Sequence, residues 1–424
     1  MKTLTHMLRE SHGRERRVIM VFFVLMILQA ILGPLDLAVY PNKMTVGLDK
    51  IVFFKLVLMG ALAMAGGWAL LTYASIRRAL LSLPAVMITC LLLLTVLGST
   101  SGLVRVSPIV SVLNYISLVF VCSAVTVLGF RVFAFAISLG VLVTASWGLC
   151  LFYFVPTSGV FTEPIANGEF LIRIGGLAHP NSVARSMILA SLLVCYLYRT
   201  GDLNWKSSAP FLVLFGWNIL LAKSRTALVA GVMGLMALFI DKVHPRRLLV
   251  WGSGLFAMGC LILFLLFATS REDRFVNKII GMVSKSGEAE ELTSGTGRTD
   301  IWAEAMTYIV KRPLLGYGLN VGPVLLIDHS QATHNSVMYA TLAGGVFGGA
   351  IMIVLQLWLL GIAFRARMLV IRAIAAFLFL SCLTEDTVLE TFPGPATMLW
   401  FACYMIPFLS TTAVLQSAPE AEPS

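Results

Sequence analysis

Four groups of residues in this chain have the types and spacing to do chemistry: Arg173 with His179 and Asn181, Lys223 with Arg225, Arg298, and His334 with Asn335. Arg298 stands just ahead of a stretch in which Ile301, Ala305 and Ile309, then Trp302, Met306 and Val310, recur at helical spacing. Thr299 is the expected N-cap, Asp300 suits the first turn, and Lys311-Arg312-Pro313 gives a basic last turn and a stop. Free N–H groups and the dipole at such a helix start favour an anion, and an arginine beside them can hold a phosphate or pyrophosphate in bidentate fashion. The competing reading is a solvated loop arginine, or one paired with Glu290 or Glu291.

His334 directly precedes the apolar run from Val337 to Gly361. A helix start disfavours the imidazolium, leaving a neutral ring able to accept a proton; the bland alternative is a capping residue. Arg173 to Ser182 runs from a loop into a helix with Asn181 or Ser182 as cap, and His179 sits between. Lys223-Ser224-Arg225-Thr226 crowds two cations into a turn at membrane depth, where charge is costly and is kept for a ligand or partner. Glu385 and Asp386 are the acidic counterpart, so an ion pair with Arg225 or Arg173 is the structural reading. No Asp-x-Asp pair occurs in the outer loops and the seven cysteines lie scattered in apolar segments, so neither a metal site nor a disulfide is expected.

These groups must be positioned by membrane helices. The chain of 424 residues is 58% hydrophobic and 12% charged, about half the charge of a soluble domain. About twelve runs approach or reach the length that crosses roughly 30 Å of hydrocarbon, near 18–35, 51–74, 80–98, 109–129, 132–155, 182–198, 208–222, 226–240, 248–269, 335–363, 370–384 and 395–413. The fold class is therefore all-α and polytopic, with helices 1 to 9 in 1–269, a large outer loop at 270–334 holding the short amphipathic helix, helices 10 to 12 in 335–413, and a disordered tail at 414–424. Gly295, Gly297, Gly316 and Gly318 bracket the loop helix as hinges or ordinary turns. The first run follows the basic head Arg14 to Arg17 without a small-residue cleavage site and reads as a retained helix.

With both termini cytoplasmic, Arg77/Arg78, Arg131, Arg199/Lys206, Lys242/Arg246/Arg247 and Arg365/Arg367/Arg372 all fall inside, which also makes 208–240 a hairpin rather than one crossing. About half of the basic residues behind the net charge of +10 are thus accounted for, and no aromatic-interleaved patch points to nucleic acid. The excess, Arg173, Arg185, Lys223, Arg225, Arg298, Lys311 and Arg312, falls on the outer face. A transporter would show repeated halves and mid-membrane charge, and a scaffold leaves the outer arginines without a reason.

The series Arg173 to Ser182, Ser224-Arg225-Thr226, Gly297-Arg298-Thr299, Arg312-Pro313-Leu314-Leu315-Gly316-Tyr317-Gly318 and His334-Asn335 resembles the bacterial O-antigen ligase and polysaccharide polymerase superfamily. The last motif is the most specific: His334 and Asn335, nine residues, Gly345, two residues and Gly348 look like the ligase signature. Trp302 stands where ligases often carry leucine. The resemblance implies a bacterial inner-membrane glycosyltransferase whose active site faces the periplasm. It would move a glycan from undecaprenyl pyrophosphate to an acceptor hydroxyl on lipid A-core (ligase), a lipid-linked repeat (polymerase) or a protein serine. His334 would be the base, Arg173, Arg225 and Arg298 the pyrophosphate ligands, and His179, Asn181, Lys223, Asn335 and Glu385 would support them, with no cofactor and no metal; membrane lipids are the remaining partner.

Overall fold

The computed structural model describes residues 2–35, 50–164, 170–175, 177–239, 298–327 and 332–409. The chain is a mostly helical, multi-pass membrane protein. Five described helices are long and apolar enough to cross a membrane: Lys50–Thr72, Leu83–Ser101, Ser107–Phe154, Pro180–Arg199 and Ser336–Arg365. Gly13–Leu32, Trp205–Ala222, Arg225–Phe239, Leu369–Thr384 and Pro395–Met405 fill the bundle between them. The run expected at 248–269, most of the outer loop before Arg298 with Gly295 and Gly297, and the tail after 409 lie outside the described residues.

Two glycine breaks decide how the long helices fold. Ser107–Phe154 has 48 residues, about 72 Å if straight and more than twice the hydrocarbon thickness. At Gly129 the backbone takes φ 68, ψ 156, and the two halves form the separate runs expected at 109–129 and 132–155. Arg131 beside the break reaches Asp202 at 3.5 Å, whereas Asn114 near one end donates to the Glu390 carbonyl at 3.0 Å and Gly148 near the other faces Ile174. The turn is thus at one membrane face and both ends are at the other.

Ser336–Arg365 breaks at Gly344 and Gly345, and Gly345 has φ 68. A broken helix in lipid leaves carbonyls that need donors. The segment Pro313–Gly318 supplies two, Tyr317 N–H to Leu342 O at 2.9 Å and Gly318 N–H to Ala343 O at 2.8 Å, and its Pro313 carbonyl accepts from the freed Val346 N–H at 2.7 Å. A Cβ on Gly345 would collide with the Leu314 carbonyl, and one on Gly316 with that of Leu342. Gly316 and Gly318 are therefore packed into this joint and are not hinges.

The all-α expectation is corrected at one place. Val160–Pro164 (β1) and Phe170–Ile174 (β2) form an antiparallel pair in which Phe161 opposes Arg173. The sequence signal was present in β-branched and aromatic runs flanking Asn167-Gly168, a strong hairpin dipeptide.

Elsewhere the core is dense and apolar. Phe22 stacks on Phe120 at 5.6 Å, and buried Tyr404 donates to the Leu355 carbonyl at 2.6 Å. Gly140 lets Ser107–Phe154 close onto Ala30 of Gly13–Leu32, the small-residue packing by which helices associate in lipid.

Candidate functional site

His334, Asn335 and Asp386 set the geometry of the site. Asn335, not His334, caps the helix Ser336–Arg365, its side-chain oxygen accepting from Val337 N–H at 3.0 Å and Met338 N–H at 2.9 Å. His334 is left just outside the helix with φ 51, a left-handed conformation that costs a non-glycine residue about 1–2 kcal/mol. Asp386 holds it there by accepting from Thr333 N–H at 2.8 Å, Thr333 Oγ1 at 2.6 Å and Asn335 N–H at 3.0 Å. Burial pushes the Asp386 carboxyl up, against the pull of those donors.

Glu385 is the hub. Its Oε2 lies 2.9 Å from His334 Nδ1; its Oε1 accepts from Asn181 Nδ2 at 2.9 Å and from Arg298 Nη2 at 3.4 Å. Burial favours the neutral acid, but the hydrogen bond and charge of His334, with Arg185 and Arg298, outweigh it and hold Glu385 below the usual carboxylate range. An ionised carboxylate cannot donate, so Nδ1 of His334 carries the proton and Nε2 presents its lone pair. Burial also opposes a charged His334, yet the Glu385 hydrogen bond and the charges of Glu385 and Asp386 raise its pKa above that of free histidine. The expected neutral ring held by a helix start is therefore corrected: the carboxylate sets its tautomer and makes it a stronger base.

Arg298 and Thr299 both lie within the helix Arg298–Lys311, so Thr299 is helical and not the cap expected of it. Only the stripe Ile301, Ala305 and Ile309 is buried, packed with Tyr317, Val321 and Leu342; Met306 and Val310 of the second stripe are exposed. Trp302 donates its indole N–H to the Thr333 carbonyl at 2.8 Å, tying the Arg298 helix to the peptide before His334. Leucine at that position could not make this bond.

Arg173 sits behind this cluster. It is 2% exposed, and its donors reach Ala222 O at 2.8 Å, Glu163 Oε2 at 2.7 Å and Asn181 Oδ1 at 2.7 Å. The expected pairing of Glu385 with Arg173 or Arg225 is thus replaced by Glu163–Arg173 and by Glu385 with His334 and Arg298. Glu163 was missed because only the hairpin, which pairs it with Leu171, brings its side chain diagonally within reach of Arg173.

His179 caps Pro180–Arg199, a role expected of Asn181 or Ser182, by accepting from Asn181 N–H at 3.3 Å. Its ring stands edge-on to Phe161 at 5.3 Å. Burial, and then Arg173, lower its pKa to about 4, so it is neutral near pH 7.

Lys223 ends Trp205–Ala222 in a left-handed conformation (φ 48), and Arg225 opens the next helix. This is the hairpin tip the charge pattern predicted; its first limb packs on Pro180–Arg199 and its second on Leu369–Thr384. Lys223 and Arg225 are exposed, and neither has an ion pair among the described residues. The Arg173–Ala222 hydrogen bond fastens this tip next to the Asn181–Glu385–His334 chain.

The site therefore combines a histidine base with a carboxylate behind it, an arginine at a helix start, and two exposed cations on an adjacent turn. It can accept a proton from a hydroxyl while balancing a polyanion. Residues 210–353 match the family model described as O-Antigen ligase, a span that includes Arg225, Arg298 and His334. The chain is also 27% identical over 248 residues to a general O-oligosaccharyltransferase of Acinetobacter baylyi (strain ATCC 33305 / BD413 / ADP1); the alignment covers 54% of this chain and 41% of that relative. Both similarities point to the O-antigen ligase superfamily, and the aligned stretch spans less than half the length of the relative it matches.

Proposed function

We propose that the protein transfers a glycan from undecaprenyl pyrophosphate to an acceptor hydroxyl at the periplasmic face of the bacterial inner membrane, as an O-antigen ligase acting on lipid A-core. The observation that carries this reading is the His334–Glu385 pair set beside Arg298. In this mechanism the acceptor oxygen attacks the anomeric carbon and its proton passes to Nε2 of His334. The bond from that carbon to the pyrophosphate breaks, its electron pair leaving on the pyrophosphate. Arg298, and Arg225 with Lys223, neutralise the leaving group as its charge grows. Glu385 stabilises the imidazolium that forms, and Arg173, His179, Asn181 and Asn335 position the reacting groups. In this reading the arginines do the work of a divalent ion, and transfer is unchanged by a chelator.

Two other acceptors compete. A lipid-linked repeat would make the protein a polymerase, and the relative named an O-oligosaccharyltransferase favours a protein hydroxyl. One complementation experiment separates them. A deletion strain carrying wild type or His334→Ala is read for lipopolysaccharide, secreted polysaccharide and glycoprotein. Loss of long glycan from lipid A-core, with lipid-linked polymer accumulating, supports the ligase; accumulation of single repeats supports a polymerase; loss of glycoprotein alone supports protein glycosylation. Loss of transfer by about 10²–10⁴-fold is expected for His334→Ala, and full activity would remove the base from the mechanism.

A further inference from the structure

At the face opposite His334, the N-terminal helix Lys2–Glu10 lies against the bundle and encloses an open groove of about 730 Å³. Its walls are of two kinds. Leu4, Leu8, Phe23 and Phe135 are apolar, while Arg9 and Arg16 are the cationic residues among those that line it. Neither arginine has an ion pair among the described residues, and the nearby Glu10 is engaged with His6 at 3.1 Å. The helix is anchored, since Thr3 N–H bonds Asp202 at 3.1 Å and its hydroxyl bonds the same oxygen. The groove is therefore a fixed feature between an interfacial helix and the membrane helices Gly13–Leu32 and Ser107–Phe154.

A fixed cleft with cations at the rim and aliphatic and aromatic side chains inside suits a ligand with an anionic head and an apolar tail. Basic pockets between membrane helices hold anionic lipid headgroups in this way, and the volume is that of an ordinary ligand site. We propose that this groove binds one anionic phospholipid of the adjacent leaflet, its phosphate between Arg9 and Arg16 and its acyl chains along Leu8, Phe23 and Phe135. The inference is independent of the transfer reaction, because no residue of the groove belongs to the His334 site.

The test is native mass spectrometry of the full chain in detergent, with phosphatidylglycerol and phosphatidylcholine in equal amounts. The expected result is retention of one phosphatidylglycerol in preference to phosphatidylcholine. Arg9→Gln/Arg16→Gln should weaken that retention about thirty-fold, the effect of losing two cationic contacts. Arg14→Gln/Arg17→Gln removes the same charge from residues that do not line the groove and should change retention less than three-fold. Equal retention of the two lipids in the wild type, or equal loss in the two double variants, would overturn the assignment in favour of diffuse surface attraction. Displacement of the lipid by inorganic phosphate would overturn it in favour of a free-anion site.

Discussion

Helix Pro180–Arg199 has a carboxylate hub at each end, Glu385 beside its start and Asp202 just past its last turn, and the two hubs differ in what they leave open. Asp202 is bound by Thr3 N–H, the hydroxyls of Thr3 and Thr200, and Arg131 at 3.5 Å. Those partners tie three elements together and offer nothing to a ligand. Glu385 is bound by Asn181, Arg298 and His334, and His334 Nε2 has no partner among the described residues. Burial and ion pairing are common to both ends, so neither marks a functional site. Spare hydrogen-bonding and proton-accepting capacity does.

The largest effects should come from the part of the Glu385 end that is itself closed. Arg173→Ala removes a buried guanidinium that serves Glu163, Asn181 and the Ala222 carbonyl at once, and a cost of about 2–3 kcal/mol with loss of transfer is expected. Arg298→Ala removes only a partly exposed pair at 3.4 Å. It should lower transfer strongly while thermal unfolding in detergent stays close to wild type. Equal loss of stability in both variants would erase the distinction between the arginine that builds the site and the one that faces it.

The glycine joint comes next. Gly345→Ala puts a Cβ against the Leu314 carbonyl in a left-handed conformation, forcing apart the segment that links the Arg298 helix to the His334 helix. Transfer should fall more than ten-fold with a lowered unfolding temperature, whereas Gly361→Ala, with open space around its Cβ position, should be silent. Wild-type transfer by Gly345→Ala would show that the joint does not hold the two helices in register.

How much of this was legible in the sequence depends on the range of the interaction. Apolar length placed the helices, because a membrane demands about 20 residues regardless of neighbours. Local signals placed Arg298 and His334 near helix ends, but Thr299 proved helical and the cap beside His334 is Asn335. Pairings across the bundle were not legible: Glu385 lies 204 positions from Asn181, 87 from Arg298 and 51 from His334, and no local rule selects among them. The hairpin carried its own Asn167-Gly168 signal, which a reading by apolar length alone does not register. Gly316 read as a hinge or an ordinary turn from its place beside the loop helix; its close packing against the Leu342 carbonyl depends on a residue 26 positions away and had no local signal.

The smaller effects sharpen the comparison between the two carboxylates. Glu385→Gln keeps a hydrogen-bonding group but removes the charge that raises His334, so burial then dominates and the histidine pKa falls. Because the base must be neutral, wild-type transfer declines as pH drops through the raised His334 pKa. In Glu385→Gln that decline moves to lower pH, while the plateau falls roughly five-fold through the weaker, less well oriented base. The pair's stabilisation has two limits. The raised His334 contributes below its unfolded pKa and fades as pH rises through its folded value; the lowered Glu385 contributes above its own unfolded pKa and fades as pH falls through its folded value. Unfolding temperatures of wild type and Glu385→Gln should therefore differ most between about pH 4.3 and 6.5. Asp202→Asn makes the corresponding change at the other end. It should cost roughly 2 kcal/mol of stability and leave both the pH profile and the plateau of transfer within two-fold of wild type. A shifted pH profile in Asp202→Asn would mean that the two hubs are coupled through Pro180–Arg199, and that the closed end takes part in setting the open one.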